Sequence, residues 1–149
     1  MHTLVAAGAA FLLAVLWFDL MFDVQTRGHS GETLPPEILA SISFYYRRVT
    51  TEAKPMNRLV GLVMILTVAA LVAEILLRET PVWLSVASLL CALSAIALAF
   101  MRTVRNAVEL GSREGSHERR SRLARTIYRD HRFCFVAMAA VAALQLAAG

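Results

Sequence analysis

The stretch PVWLSVASLLCALSAIALAFM, residues 81–101, runs for 21 residues without a charged side chain. At 1.5 Å per residue, a helix of that length crosses the ~30 Å hydrocarbon core of a bilayer. Three further stretches are similarly apolar, although the last, residues 133–148, would span only about 24 Å. The sequence therefore predicts an all-α transmembrane four-helix bundle, with spans at about 3–22, 57–77, 81–101 and 132–148.

The composition agrees with a lipid environment. Of the 149 residues, 58% are hydrophobic and 17% are charged, whereas about a quarter are charged in a typical soluble domain. The N-terminus Met1-His2-Thr3 lacks the basic region of a cleaved signal peptide, so the first span should be retained. We expect one integral membrane domain over residues 1–149.

The basic residues are distributed asymmetrically. All of the 15 Lys and Arg residues except Arg78 lie in the first and third loops or at the adjoining helix ends. Because basic loops stay in the cytoplasm, both termini are predicted outside a bacterial cytoplasmic (inner) membrane crossed four times.

The first loop is predicted to hold an amphipathic helix at about 36–52, because apolar side chains recur at Ile38, Ile42, Tyr45 and Val49. Such a helix could lie among the lipid headgroups, as an interfacial helix of this cytoplasmic loop, or fold onto the end of the bundle. Pro55 is expected to end it.

The third loop is predicted to hold a cytoplasmic helix at about 116–131 that continues into the fourth span, after a helix stop at Gly111. Five of its Arg residues share one face: Arg119, Arg122, Arg125, Arg129 and Arg132. This stripe favours anionic lipid headgroups as partners. An acidic protein partner is the alternative. Nucleic acid is not expected, because no aromatic residues interleave the charges.

Two patterns bear on helix packing. Small residues recur every fourth position in the first span (Ala6, Ala10, Ala14) and the third (Ala87, Cys91, Ala95, Ala99). Such faces allow close helix contact within one chain or between copies, so a homo-oligomer remains open. In the second span, Glu74 and Arg78 are four residues apart and are interpreted as an ion pair on one helical face.

Standard catalytic and nucleotide-binding signatures are absent, and no cofactor is expected. The notable polar feature is a set of residues that all four spans bring to the cytoplasmic side. The candidate catalytic residues are Asp19, Asp23 and His131, and the candidate ligand-binding residues are Asn57, Arg58, Arg102, Arg105 and Asn106. Asp130 and Cys134 lie at the same depth in the membrane as these candidates.

Asp19 lies about one turn inside the apolar boundary, where an unpaired carboxylate costs roughly 2.5–3.5 kcal/mol. Asp23 shares its helical face. The two acids could hold a proton or a metal and act as a base, or orient Arg58, Arg105 or His131 toward a ligand. A salt-bridge network that locks helix packing is the third interpretation.

His131 and Cys134 form a same-face H-x-x-C pair, which supplies two of the four ligands of a zinc site. Two local ligands rarely hold zinc, so no metal is expected, and a haem ligand would lack a supporting partner. We expect His131 to titrate within reach of pH 7 and to contact Asp19 or Asp23.

Three short stretches carry a family resemblance: Pro55-Met56-Asn57-Arg58, Arg105-Asn106, and an Arg-rich run that ends in Tyr128-Arg129-Asp130-His131. In this order of features the chain resembles the broad family of small bacterial membrane proteins that includes anthrone-oxygenase-like members. The resemblance implies a cofactor-free oxidation of an aromatic substrate at the membrane surface, with Asn57, Arg105 and His131 as the positions to test.

The residues favour a small inner-membrane protein with a polar pocket at the cytoplasmic mouth of its bundle and a binding or assembly role. A membrane-surface enzyme acting on an amphipathic or aromatic ligand is the first alternative. A proton- or ion-coupled carrier is the second, although the first three spans lack mid-membrane charges and broken helices.

Overall fold

The computed structural model describes residues 1–148, apart from the side chain of Lys54, and all regular secondary structure in that range is helical. Gly149, the last residue of the predicted domain, lies outside the described range. The helices are α1 (His2–Asp23), α2 (Pro36–Arg47), α3 (Lys54–Leu77), α4 (Val82–Leu98), α5 (Val104–Ser112) and α6 (His117–Ala148).

Four helical stretches within residues 1–148 are long and apolar enough to cross a membrane, which confirms an all-α chain with four potential spans. They are His2–Thr26, Pro55–Leu77, Val82–Ser112 and His117–Ala148. The last two are longer than a bilayer requires. The Arg-rich residues and the fourth apolar stretch form one unbroken helix, α6.

The four long helices form a ring. Helix α1 packs against α3 and α6, and α4 packs against the same two helices on the other side. The amino group of Met1 lies 2.6 Å from a carboxylate oxygen of Glu79, which places the start of α1 beside the α3–α4 turn. We call this end the terminal end of the bundle and the opposite end, where α2 and α5 lie, the loop end.

The buried face of α1 differs from the prediction. Val5, Ala9 and Leu12 are buried in the bundle core, whereas Ala10 and Ala14 are exposed. In α4 the fully buried small residues are likewise offset from the predicted set: they are Ser85, Ser88, Ala92 and Ala95, with Ala87, Cys91 and Ala99 half-buried. When nearly every residue of a helix is apolar, the spacing of its residues does not show which face contacts lipid and which face packs against other helices.

A second apolar core lies at the loop end. We call the part of the molecule that forms it the cap: residues 34–52, α5, and residues 117–130 of α6. Its buried hydrophobic members are Leu34, Leu39, Ile42, Tyr46, Ala107, Leu110, Ala124 and Ile127. Helix α2 packs on α5 and α6 through this core, and the predicted stripe residues Ile38, Tyr45 and Val49 are half-buried at its edge.

Arg125 holds the first loop onto α6. Its guanidinium donates hydrogen bonds to the backbone carbonyls of His29 (3.0 Å), Gly31 (2.5 Å) and Glu32 (3.1 Å). Arg119 in turn pairs with Glu109 of α5 at 2.5 Å. Two members of the predicted basic stripe therefore stabilise the cap, while Arg122, Arg129 and Arg132 are exposed.

Gly111 does not end a helix, contrary to the prediction. Helix α5 continues to Ser112, and Arg113 takes the left-handed conformation that terminates it (φ 62°). Gly111 is buried where α5 meets the end of α2. Pro55 likewise does not end α2 but lies in the first turn of α3, where its missing N–H leaves no unmet bond.

The predicted Glu74–Arg78 ion pair is also wrong. Arg78 lies past the end of α3 in a left-handed conformation (φ 54°), so the helical geometry that would bring the two side chains together is lost. Glu74 is fully buried instead, and it accepts a hydrogen bond from Nε2 of Gln145 at 3.2 Å. The same nitrogen lies 3.2 Å from Oγ of Ser88, so this small network joins α3, α4 and α6.

Two π-helical turns lie at the loop end. Arg48–Glu52 follows α2 directly, and Ala99–Thr103 connects α4 to α5 within one continuous helix. Turns of this kind are rare and are often found beside functional sites. Both contribute side chains to the site described next.

Candidate functional site

Five polar side chains meet where α1, α2 and α6 converge: Asp19, Asp23, Tyr45, Tyr46 and His131. We call them the acid–tyrosine–histidine cluster. Asp19 and Asp23 lie one turn apart on α1, so both face the neighbouring helices. Asp23, Tyr46 and His131 are buried, and the side chain of Asp19 is 16% exposed.

Each carboxylate of the cluster is bound by its own tyrosine. The Tyr45 hydroxyl donates to Oδ1 of Asp19 at 2.7 Å, and the Tyr46 hydroxyl donates to Oδ1 of Asp23 at 2.6 Å. Hydrogen bonds to ionised acceptors are about twice as strong as neutral ones. The cap is thereby anchored to α1 through two adjacent residues of α2.

Burial raises the pKa of Tyr46 well above its usual value of 10.0, and the negative charge of Asp23 raises it further. The pKa of Tyr45 is raised as well, first by burial and then by the charge of Asp19. Both phenols therefore remain protonated hydrogen-bond donors throughout the physiological pH range.

His131 has two chemically different ring nitrogens in this cluster. Nδ1 lies 2.7 Å from Oδ2 of Asp23, and since a carboxylate only accepts, Nδ1 carries the proton of that bond. Nε2 lies 3.9 Å from Oδ2 of Asp19, beyond hydrogen-bond distance. The predicted contact of His131 with the acidic pair is therefore present, and Asp23 fixes the orientation of the ring.

A second polar group adjoins the cluster on α6. Asp130 is 1% exposed, and its carboxylate accepts hydrogen bonds from both Nε and Nη2 of Arg102. The distance from Nε to Oδ2 is 2.9 Å. The hydroxyl of Thr103 donates to the same Oδ2 at 3.1 Å. Both partners come from the π turn Ala99–Thr103, so the predicted ligand-binding Arg102 is engaged by Asp130 rather than by Asp19 or Asp23.

The remaining predicted ligand-binding residues separate from one another. The Asn57 side chain donates to the carbonyl of Thr50 at 3.1 Å and lies at the rim of the site. Asn106 is buried in the cap. Arg58 and Arg105 are exposed and make no salt bridge with any described residue.

Sequence reasoning missed the roles of Tyr45 and Tyr46. By its spacing Tyr45 belongs to the apolar stripe of α2, although a tyrosine that is buried usually finds a partner for its hydroxyl. The run Phe44-Tyr45-Tyr46 after a span with two acids was the available signal. The pairings join residues 26 and 23 positions apart, which periodicity within one helix does not reveal.

A cavity of about 530 Å³ lies against the cluster, inside the ring of helices and below the cap. Asp19, Tyr45, Thr103 and His131 contribute its polar side. The rest of its wall is predominantly apolar, as in most small-molecule sites. Among the apolar lining residues are Leu12, Leu16, Val60, Met64, Ile96 and Met138.

Apart from Asn57, the rim of the cavity is largely apolar as well. Phe18 of α1, Met56 of α3, Phe100 of the π turn and Val104 of α5 all line the cavity and are exposed on the outside of the bundle. The cavity therefore reaches the surface between apolar side chains. The polar groups of the cluster lie deeper.

His131 and Cys134, the weak metal-binding candidates, both line this cavity. Cys134 is buried, and its thiol donates to the carbonyl of Ala95 at 3.5 Å. Over the part of the chain that the structure describes, no three or more His, Cys, Asp or Glu side chains are arranged to hold a metal ion.

No protein-family model, curated protein or solved structure matches the chain.

Proposed function

We propose that this chain is an integral protein of the bacterial cytoplasmic membrane that binds an amphipathic ligand in the cavity at its loop end. The four potential spans support membrane insertion, as do the large exposed apolar side chains on the outside of the bundle, such as Leu62, Ile65, Leu90 and Val136. The basic residues at the loop end support its placement in the cytoplasm, with the termini outside.

The observation that carries the binding proposal is the cavity itself. Its apolar wall suits the body of an amphipathic molecule, and its polar side at Asp19, Tyr45 and His131 suits a head group. The apolar rim allows such a molecule to enter sideways from a lipid phase. A purely structural salt-bridge network would instead pair Asp19 and Asp23 with arginines and leave no cavity.

An enzyme is the second candidate, and the Asp23–His131 pair favours it. Asp23 holds Nδ1 of His131, and the other ring nitrogen faces the cavity next to Asp19. When Nε2 is unprotonated, a buried carboxylate that orients the histidine in this way allows Nε2 to take a proton from a ligand. Proton removal is a step that the cofactor-free oxidation of an aromatic substrate, implied by the family resemblance, would need.

The binding proposal is tested by co-purification. The protein is extracted in mild detergent, and bound small molecules are identified by mass spectrometry. Val60→Trp, which places a large side chain in the cavity wall, should lose the ligand. Leu62→Trp, on the exposed surface of the same helix, is the matched control and should retain it. Equal recovery from both variants would contradict binding in the cavity.

Membrane orientation is tested separately with reporter fusions. A periplasmically active phosphatase fused after Gly149 should be active, and the same reporter inserted at the exposed Ser116 should be inactive. The reverse pattern would show that the basic loops lie outside.

A further inference from the structure

The cluster leaves two polar atoms unused at the cavity. Oδ1 of Asp19 is bound by Tyr45, but among the described residues Oδ2 of Asp19 has no hydrogen-bond partner. Nε2 of His131 likewise has no hydrogen-bond partner among the described residues, since only Nδ1 of that ring is bound. The two free atoms lie 3.9 Å apart, and both residues line the cavity.

That separation accommodates one bridging atom. Two groups 3.9 Å apart are too distant to bond directly, but a single oxygen can lie at about 2.8 Å from each of them. The bridging atom would be at the boundary between the polar and apolar sides of the cavity. A molecule carrying it would extend its remaining atoms along the apolar wall.

The charges of the cluster define what the bridging group must do. His131 lies between two carboxylates, and an imidazolium satisfies both because each of its nitrogens then donates. With His131 as an imidazolium and Asp19 as a carboxylate, the bridging atom accepts from Nε2 and donates to Oδ2 of Asp19. A hydroxyl does both, whereas an ether only accepts and a carboxylate would face Asp19 with the same charge.

We infer that the head group of the bound amphiphile is a neutral hydroxyl, which donates to Oδ2 of Asp19 and accepts from Nε2 of His131. This inference rests on the proposed function, because it assumes that the cavity is a binding site. It narrows the ligand class to alcohols with an apolar body and excludes fatty acids and phosphate-headed lipids.

The test compares head groups on one chain. The full-length protein in lipid nanodiscs is titrated calorimetrically with 1-decanol, decyl methyl ether, decanoate and decylamine, with empty nanodiscs subtracted. We expect 1-decanol to bind at least about tenfold more tightly than the ether, since the ether cannot make the charge-assisted bond to Asp19. Decanoate should bind most weakly.

Two variants connect the selectivity to the named atoms. Asp19→Asn should remove most of the difference between the alcohol and the ether, because it removes the charged acceptor. Glu37→Gln is the matched control, since it makes the same carboxylate-to-amide change at an exposed residue that does not line the cavity. It should retain the preference for the alcohol.

The outcomes separate the two proposals. Equal binding of alcohol and ether, abolished by Val60→Trp, would overturn the hydroxyl inference and leave the binding site intact. Preference for decylamine would also overturn it, because the bridging atom would then donate to both groups. Binding that is the same in the wild type and in Val60→Trp for every probe would overturn both the inference and the proposed function.

Discussion

Gly111 of α5 lies directly against the backbone of Arg47 at the end of α2. A Cβ atom at Gly111 would be 2.7 Å from the amide nitrogen of Arg47 and 2.9 Å from its Cα. The contact is between two backbones, so no flexible side chain can move aside. It fixes α2 at the position from which Tyr45 and Tyr46 reach the acids of α1.

Gly111→Ala should therefore shift the end of α2 and destabilise the cap. Overpacking of this kind costs about 1–3 kcal/mol. Gly61→Ala is the matched control, because a Cβ there meets nothing within 4 Å. Thermal unfolding in detergent checks both variants, and an unchanged Gly111→Ala protein would contradict the close contact.

Asp23 should contribute more to stability than Asp19. Asp23 is fully buried and holds both Tyr46 and His131. Asp23→Asn should cost about 3 kcal/mol or more, because it removes one partner of a buried ion pair. Asp19→Asn, at the partly exposed cavity wall, should cost about 1 kcal/mol. Unfolding free energies measured for both variants would decide, and the reverse order would contradict the assignment of Asp23 as the structural member.

Alkaline pH should destabilise the protein through its tyrosines. The pKa values of Tyr45 and Tyr46 are raised in the folded state above the usual 10.0, so above that pH the unfolded chain loses protons that the folded chain keeps. The contribution of the two tyrosines to the free energy of unfolding is fully present below pH 10. It is lost as the pH rises further, by about 1.4 kcal/mol per pH unit for each tyrosine. The double variant Tyr45→Phe/Tyr46→Phe should show a shallower decline between pH 10 and 11.5. Identical slopes for the two proteins would refute this explanation.

Substitutions at Glu74 and Gln145 should have strongly non-additive effects on the free energy of unfolding. Gln145 is 1% exposed and supplies the one hydrogen bond that the Glu74 carboxyl receives within residues 1–148. Gln145→Leu should destabilise by about 1–3 kcal/mol, since it leaves a buried carboxyl without a partner. The double variant Glu74→Leu/Gln145→Leu should recover part of that loss, because no polar group is then orphaned. Additive effects in the four-protein cycle would show that the two side chains do not depend on each other.

The helices could be predicted from the sequence because their signals are local. Charge-free runs indicate the spans, and the spacing of the apolar residues from Ile38 to Val49 indicates the helix of the first loop. The proximity of Asp19, Asp23 and His131 could also be predicted, because they lie at the same membrane depth on different spans and side chains at one depth of adjacent helices can contact each other.

Rotation about each helix axis could not be predicted in the same way. Arg58 and Arg105 are at the loop end like Asp19, but they are exposed. In α1 the buried face is one residue away from the alanine repeat, because Val5 and Leu12 pack as well as alanine does. The tyrosine–acid bonds depend on how α2 folds back, which no local pattern encodes.

The π turn Ala99–Thr103 determines how far α5, in the cap, is rotated about the helix axis relative to α4, in the bundle. Each residue advances a helix by about 100°. If the same five residues wound instead as regular α-helix, which fits about one residue fewer into a turn, everything after them would rotate by roughly that angle. Arg102 and Thr103 would then leave Asp130, and Gly111 would no longer meet Arg47. A single irregular turn thus acts as the angular offset that lets one continuous helix serve two separate cores.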